Sequence, residues 1–208
     1  IRGTIPIAAV GLGVIGGWIT VGDPTYTITS TYLQNSGLVI VITVSIAIVE
    51  EVVFRGYVLT NAIEGLDLRR LSRTTTLLAA WSVSALLFGF AHPRPTLVAG
   101  IHFLSAGFLL GLAYLLSGQL GLPIGIHTGF NFVSGYVVPI SSEQSLVVVP
   151  LSVTGPAWLT GQTGLIQTGL QIPAALGILG YLWWRTGRVG VAPRIRSKLD
   201  DEWANKVK

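Results

Sequence analysis

Long apolar stretches fill most of the chain, and short polar connectors separate them. A helix needs roughly 20 apolar residues to cross the hydrocarbon core of a bilayer. Six stretches approach or exceed that length, so the pattern predicts an all-α fold, a polytopic transmembrane helical bundle of about six spans. The predicted spans are Ile5–Val21, Gly37–Ile63, Thr75–His92, Thr96–Leu116, Leu122–Val138 and Leu165–Trp184.

The composition agrees with a membrane protein. The 208 residues include 13 basic and 9 acidic side chains, and ten of these charges fall within Arg185–Lys208. A soluble domain is roughly a quarter charged, so the first 184 residues carry too few charges to cover a water-soluble globule. The high apolar content excludes a disordered chain, and the scarcity of basic residues excludes nucleic acid as a partner. The absence of cysteine from the sequence excludes disulfides, thiolate catalysis and cysteine-ligated metals.

The distribution of charge predicts the domain organisation and the orientation. Residues 1–184 are expected to form a single transmembrane domain, with a motif-bearing core at about 38–138, and residues 185–208 a basic tail. Six spans place both ends on one side of the membrane, together with Arg2 and the loop Arg69–Arg73. Because basic residues concentrate in cytoplasmic loops, we expect an integral, multi-pass protein of the cell membrane with a cytoplasmic tail.

Three charged residues, Glu50, Glu51 and Arg55, lie inside the second apolar stretch. A charge near the bilayer centre costs about 2.5–3.5 kcal/mol on insertion scales. Residues four apart are neighbours on a helix, so Glu51 and Arg55 can form an ion pair. Glu50 lies about 100° away around the helix axis and faces another helix. The pattern therefore predicts one compensated and one free carboxylate, which favours a functional site over a purely structural polar cluster.

Polar residues also interrupt the next three predicted spans. His92 ends the third span, and His127 and Asn131 lie four residues apart in the fifth, on one helix face. Taken alone, His127 and Asn131 are also compatible with an interhelical hydrogen-bond clamp. His102, in the fourth span, lacks a polar partner at helical spacing and is predicted to be a packing or accessory residue.

Glycine spacing predicts where helices approach closely. Gly107 and Gly111 form a GxxxG pattern in the fourth span, and we expect a helix contact there. A second stripe in the fifth span consists of Gly121, Gly125 and Gly129. Gly125 and Gly129 lie roughly opposite His127 and Asn131, so we expect a packed face on that side of the helix.

A free glutamate, two histidines and an asparagine in three membrane segments predict a polar cavity inside the membrane. Ionisable groups in such a place are functional candidates by default. A carboxylate base for water, a histidine to assist it and donors for an oxyanion are typical of a hydrolase. The sequence contains neither the HExxH motif of zinc proteases nor a GxSxG nucleophile motif.

The motifs that carry these residues resemble those of a known family. The segment Glu50-Glu51-Val-Val-Phe-Arg55 fits EExxxR, Phe88-Gly-Phe-Ala-His92 fits FxxxH, and His127-Thr-Gly-Phe-Asn131 fits HxxxN. In this order and membrane context they resemble the CPBP family of intramembrane proteases, which includes CAAX prenyl endopeptidases and bacteriocin-processing or immunity proteins. The resemblance covers roughly Leu38–Val138.

The resemblance implies a mechanism for peptide hydrolysis of the glutamate type. Glu50 and His92 would activate a water molecule for attack on a peptide carbonyl, and His127 and Asn131 would stabilise the oxyanion. The supporting pair, Glu51 and Arg55, would orient Glu50. No cofactor is expected, and zinc held by the glutamate and histidine side chains is the alternative. The expected partners are the lipid bilayer and a peptide or protein substrate near the membrane surface, with or without a prenyl group.

Two other functions compete with this hypothesis. One is a non-catalytic immunity or binding protein of the same family, which keeps the polar cavity. The other is a small proton-coupled transporter that uses Glu50 and His92 as a relay. A transporter of this kind predicts inverted repeats, and the sequence has none.

The predicted spans leave one geometric difficulty. His92 lies near the outer end of its span, whereas Glu50 lies about 20 Å below the outer end of the second span. The two can meet if the second segment is long and tilted, or if the Pro93–Pro95 break enters the membrane.

Overall fold

The computed structural model describes residues 3–23, 29–66, 71–93, 96–140 and 149–198, and these residues are mostly helical. Two short strands, β1 (Ile19–Val21) and β2 (Leu151–Val153), accompany the helices. The α-helices are α1 (Thr4–Ile15), α2 (Ser30–Glu51), α3 (Thr60–Gly65), α4 (Arg73–Ala91), α5 (Leu97–Ser117), α6 (Gly121–Phe132), α7 (Ala157–Thr160), α8 (Leu165–Gly169) and α9 (Gln171–Thr186). Two π-helical stretches, Val52–Leu59 and Val133–Val137, continue α2 and α6.

Hydroxyl side chains begin the three long helices. Thr29, Ser72 and Thr96 accept hydrogen bonds from the backbone N–H groups three residues later, at 3.1, 3.2 and 3.1 Å. Such caps satisfy N–H groups that have no partner within the helix. At the other end of α5, Gly118 adopts a left-handed conformation (φ +67°) and its N–H bonds to Tyr114 O.

The helix that carries the first motif is longer than its apolar pattern predicts. Residues Ser30–Gly65 form one helical segment of 36 residues, through α2, the π-helical stretch and α3. At 1.5 Å per residue its length is about 54 Å, compared with about 30 Å for the hydrocarbon core of a bilayer. The segment must therefore tilt or extend beyond the hydrocarbon core. A long, tilted segment is one of the two conditions under which Glu50 and His92 are expected to lie close together.

The prediction of about six spans is not confirmed. Three helical segments of the described chain are long and apolar enough to cross a membrane: Ser30–Gly65, α4 and α5. The segment Ala157–Gly169 and α9 meet at a bend of 40° and provide a fourth span if they are counted together. Helix α1 has only 12 residues, about 18 Å, because the chain turns at Gly17, where φ is +71°. Apolar composition continues past this turn, but the helix does not.

The purely α-helical prediction also needs a small correction. Ile19–Val21, expected at the end of the first span, forms strand β1 and pairs antiparallel with Leu151–Val153. Ile19 is opposite Val153, and Val21 is opposite Leu151. Both strands contain β-branched residues, which favour extended structure. The sheet joins the N-terminal region to the segment that leads into α7 and α8.

The GxxxG pattern of α5 makes the predicted helix contact. A Cβ atom at Gly107 would lie 2.8 Å from Ala85 O of α4, and one at Gly111 would lie 2.6 Å from Nε1 of Trp81. Only glycine permits this approach. The glycine stripe of α6 is less closely packed. A Cβ atom at Gly129 would lie 3.6 Å from Gly3, and Cβ atoms at Gly121 and Gly125 would have no neighbour within 4 Å.

The basic tail folds back onto the helices. Ala192 and Ile195 are buried, and Ala192 N–H bonds to Leu115 O at the end of α5. Lys198 forms an ion pair with Glu64 of α3. The ends of α3, α5 and α9 thus lie together, with basic residues of the tail around them. Several residues used to predict the orientation, namely Arg2, Arg69, Arg70 and 199–208, lie outside the described residues.

Candidate active site

The ion pair expected from the first motif is present and completely buried. Nη1 of Arg55 lies 3.0 Å from Oε1 of Glu51, and neither side chain is exposed. Arg55 also donates to Gly107 O at 3.0 Å, and its guanidinium lies 4.4 Å from the centre of the Phe88 ring. The close approach of α5 to α4 at Gly107 brings that carbonyl within reach. The pair is therefore anchored to both neighbouring helices.

A third group shares the Glu51 carboxylate. Nδ1 of His127 lies 2.8 Å from Oε1 of Glu51, and His127 is buried in α6. A carboxylate that is ion-paired with arginine accepts hydrogen bonds, so the Nδ1–H group of His127 is the donor. The opposite ring atom, Nε2, then points away from Glu51, and Oε2 of Glu50 is 3.8 Å from it. Glu51 thereby sets the orientation of the His127 ring.

His92 is oriented by the end of its own helix. It is the residue that follows α4, and its Nδ1–H group donates to Phe88 O at 2.7 Å. Its ring stacks on Phe103, with ring centres 4.5 Å apart and 23° between the planes. These contacts leave Nε2 facing Glu50, at 3.5 Å from Oε2. Two histidines from different helices thus present the same ring atom to one carboxylate.

Glu50 differs from Glu51 in both exposure and bonding. Its side chain is 25% exposed, compared with none of Glu51. Oε2 of Glu50 is buried and has no hydrogen-bond partner among the described residues, because its contacts with the two imidazoles are too long or poorly aligned. A buried carboxylate oxygen of this kind is unusual in a protein interior. The two adjacent acids therefore have the different surroundings expected from their helical positions.

A cavity of about 240 Å³ brings the predicted residues together. Glu50, His92, His127 and Asn131 all line it, whereas Glu51 and Arg55 lie beneath it. Because Asn131 follows His127 by one helical turn, its side chain faces the same space. The walls also contain Phe88, His102, Phe103, Ala106, Phe130, Gln162 and Thr163.

Some of these wall residues were not predicted as part of the site. His102, interpreted as a packing or accessory residue, is buried, lines the cavity and contacts Thr168 Oγ1 through Nδ1 at 3.1 Å. Gln162 and Thr163 come from the connector after α7, far from the three motifs. The sequence does mark His102, because it is a histidine within an apolar helix. Nothing at the sequence level marks Gln162 or Thr163.

The arrangement of the ionisable side chains indicates what chemistry the site can support. No group of three or more His, Asp and Glu side chains within the described ranges is arranged to hold a metal ion. The chemistry that the arrangement does support is proton transfer. A carboxylate faces two imidazoles, and an amide on the same wall can donate a hydrogen bond.

One comparison with known proteins bears on this arrangement. Residues 33–133 match the family described as type II CAAX prenyl endopeptidase Rce1-like. No curated protein and no solved structure matches the chain. The matched segment contains all three motifs and the six residues assigned to them. It confirms the resemblance to the CPBP family: residues 33–133 of this membrane protein are similar to the Rce1-like family of type II CAAX prenyl endopeptidases.

Proposed function

We propose that this protein is a glutamate-type intramembrane endopeptidase that hydrolyses a peptide bond with a water molecule activated by Glu50 and His92. The observation that carries the proposal is the position of Glu50 Oε2. This buried oxygen faces Nε2 of His92 at 3.5 Å and Nε2 of His127 at 3.8 Å, and it lacks a hydrogen-bond partner among the described residues. A water molecule between these groups would satisfy the oxygen and lie where a base can act on it.

The first step is attack on the peptide carbonyl. Glu50 accepts a proton from the water as the new C–O bond forms, while His92 holds the water through Nε2. Glu50 then delivers the proton to the nitrogen of the leaving amine as the C–N bond breaks. The products are a carboxylic acid and an amine, and Glu50 returns to its ionised form. His92 is suited to holding the water because Phe88 O and the Phe103 ring restrict its motion.

The oxyanion is stabilised by His127 and Asn131 of α6. The Nδ1 proton of His127 is donated to Glu51, so Nε2 is the ring atom that faces the oxyanion. Asn131 contributes a neutral N–H donor. We therefore propose that Glu51 and Arg55 act as positioning residues for both His127 and Glu50.

The proposed reaction uses no metal, because Glu50 supplies the base and the side chains around it supply the hydrogen-bonding groups. Zinc held by the glutamate and histidine side chains is the alternative. The substrate is proposed to be a peptide or protein segment near the membrane surface, and a prenylated C-terminus is the class that the family match favours. The tail, whose basic residues surround the ends of α3, α5 and α9, is proposed to face the cytoplasm of the cell.

A cleavage assay on the purified protein tests the proposal. The substrates are a farnesylated peptide with a C-terminal CAAX sequence and the same peptide without the lipid, and mass spectrometry detects the released tripeptide. We expect cleavage by the native protein, unchanged by a zinc chelator, and none by the Glu50→Gln variant. Loss of activity with the chelator and its recovery with zinc would support the zinc alternative. Peptide binding without cleavage by the native protein would support the non-catalytic alternative.

A further inference from the structure

A second cavity, of about 680 Å³, lies at the basic end of the molecule. Its walls are the end of α5, the start of α6, the end of α9 and the tail segment 188–196. None of its lining residues lines the cavity of Glu50. Glu50 is 15 residues from the end of α3, about 22 Å along the helix. The volume is typical of small-molecule sites, which are roughly 300–1,000 Å³.

The rim of this cavity carries concentrated positive charge. Arg185, Arg188 and Arg196 line it, and no aspartate or glutamate among the described residues does. None of the three has an ion pair with a carboxylate of the described residues, in contrast to Arg55 with Glu51 and Lys198 with Glu64. Guanidinium groups bind phosphate oxygens through two parallel N–H donors. Three guanidinium groups around one cavity, without a carboxylate partner in the described part of the chain, therefore favour a phosphate-bearing ligand.

Part of the lining is apolar, which distinguishes between phosphate-bearing ligands. Leu116, Leu122 and Leu182 line the same space, and Leu182 is buried. On the outside of the same helix end, Trp183 and Trp184 are 63% and 77% exposed. Exposed tryptophans at the end of an apolar helix are typical of the headgroup region of a bilayer. A ligand with a charged head and an apolar body fits this arrangement better than free phosphate does.

We propose that this cavity binds the phosphate headgroup of an anionic phospholipid, with Arg185, Arg188 and Arg196 as its ligands. The apolar walls take up the part of the lipid next to the glycerol. Basic pockets at the ends of membrane helices recognise acidic lipid headgroups in this way. The proposal is independent of the peptidase function, because it uses none of the residues of the Glu50 cavity.

Native mass spectrometry of the delipidated full-length protein tests this site. The probes are phosphatidylglycerol, phosphatidylcholine with the same acyl chains, and inorganic phosphate. We expect retention of phosphatidylglycerol, little retention of phosphatidylcholine, and no displacement of the bound lipid by phosphate at millimolar concentration. Equal retention of the two lipids would overturn the proposal. Displacement of the lipid by inorganic phosphate would also overturn it and assign the site to free phosphate.

Matched arginine variants locate the binding. Arg196 lines the cavity and Arg194, two residues earlier, does not, although both are exposed and carry the same charge. Because Arg196→Gln removes a hydrogen-bond donor that carries a charge, we expect it to weaken phosphatidylglycerol binding about tenfold or more. Arg194→Gln should have little effect. Equal effects of the two changes would overturn the assignment to this cavity.

Two further variants test whether a loss of lipid binding arises at this site and not from misfolding or from loss of peptidase activity. Arg188→Gln, outside the helices, should weaken lipid binding as Arg196→Gln does, so the test does not depend on the folding of one variant. Glu50→Gln should bind phosphatidylglycerol like the native protein. Loss of lipid binding in Glu50→Gln, or normal binding in Arg188→Gln, would contradict the proposed site.

Discussion

His127 and Arg55 bind the same oxygen atom of Glu51. Oε1 lies 2.8 Å from Nδ1 of His127 and 3.0 Å from Nη1 of Arg55, and the carboxylate is completely buried. The arrangement joins the first motif to the third, across the interface of α2 and α6. In many enzymes and metal sites a carboxylate at Nδ1 determines which ring nitrogen of a histidine faces the ligand. Here that atom is Nε2, on the side of Glu50.

The two acids should respond differently to neutralisation. Glu51→Gln leaves the buried Arg55 without a counter-charge, which typically costs about 3–5 kcal/mol. We therefore expect a lower melting temperature and loss of cleavage. Glu50→Gln should abolish cleavage and leave the melting temperature nearly unchanged, because Oε2 of Glu50 makes no hydrogen bond within the described structure. Thermal unfolding in detergent and the peptide assay measure both quantities. A larger destabilisation by Glu50→Gln would mean that the two roles are reversed.

Glu50 and His92 should act as one unit on the water molecule. Glu50→Ala and His92→Ala are each expected to abolish cleavage, while the protein still inserts into the membrane and folds. Groups that act together show strongly non-additive effects on rate. The double variant should therefore lose no more activity than the Glu50→Ala variant alone. Native turnover in either single variant, or multiplicative losses in the double variant, would contradict joint activation of water.

Asn131 should affect the transition state more than substrate binding. Removal of one oxyanion donor typically lowers turnover by about 10²–10³, so we expect Asn131→Ala to reduce kcat by that factor with KM nearly unchanged. Asn131→Asp should be worse, because it places negative charge where negative charge develops. A structural clamp predicts the opposite: a lower melting temperature and a loss of activity in proportion to unfolded protein. Kinetics and thermal unfolding of Asn131→Ala distinguish the two.

Two glycine-to-alanine changes test the packing beneath the site. Gly107→Ala brings a Cβ to 2.8 Å from Ala85 O, so α4 and α5 must separate. We expect a loss of about 1–3 kcal/mol of stability and reduced activity, because Gly107 O also binds Arg55. Gly125→Ala is the control, because its Cβ meets nothing within 4 Å and alanine favours the helix by about 1 kcal/mol. The free energy of unfolding of the two variants should change in opposite directions.

The local part of the site could be predicted because helix geometry alone determines it. Glu51 and Arg55 are neighbours on any helix, and the structure has their ion pair. The same geometry separates Glu50 from Glu51. The contact between Glu51 and His127, 76 positions apart, depends on how α2 packs against α6 and has no signature in the spacing of residues.

The number of spans was harder to predict because hydropathy measures composition and not helix continuity. Gly17 ends the first helical region in a left-handed turn although the residues around it remain apolar. The 40° bend between α8 and α9 and the pairing of β1 with β2 likewise leave the apolar pattern unchanged. The cavity wall formed by Gln162 and Thr163 depends on this unpredicted region.

The distribution of the site over three helices has a consequence for biosynthesis. Glu50, His92 and Asn131 enter the membrane one after another as the ribosome extends the chain, and Glu51 finds His127 only after α6 has docked. The nascent protein is thus built without a working centre until its sixth helix is in place. The proposed peptidase therefore gains activity only after α6 has been synthesised and has docked against α2.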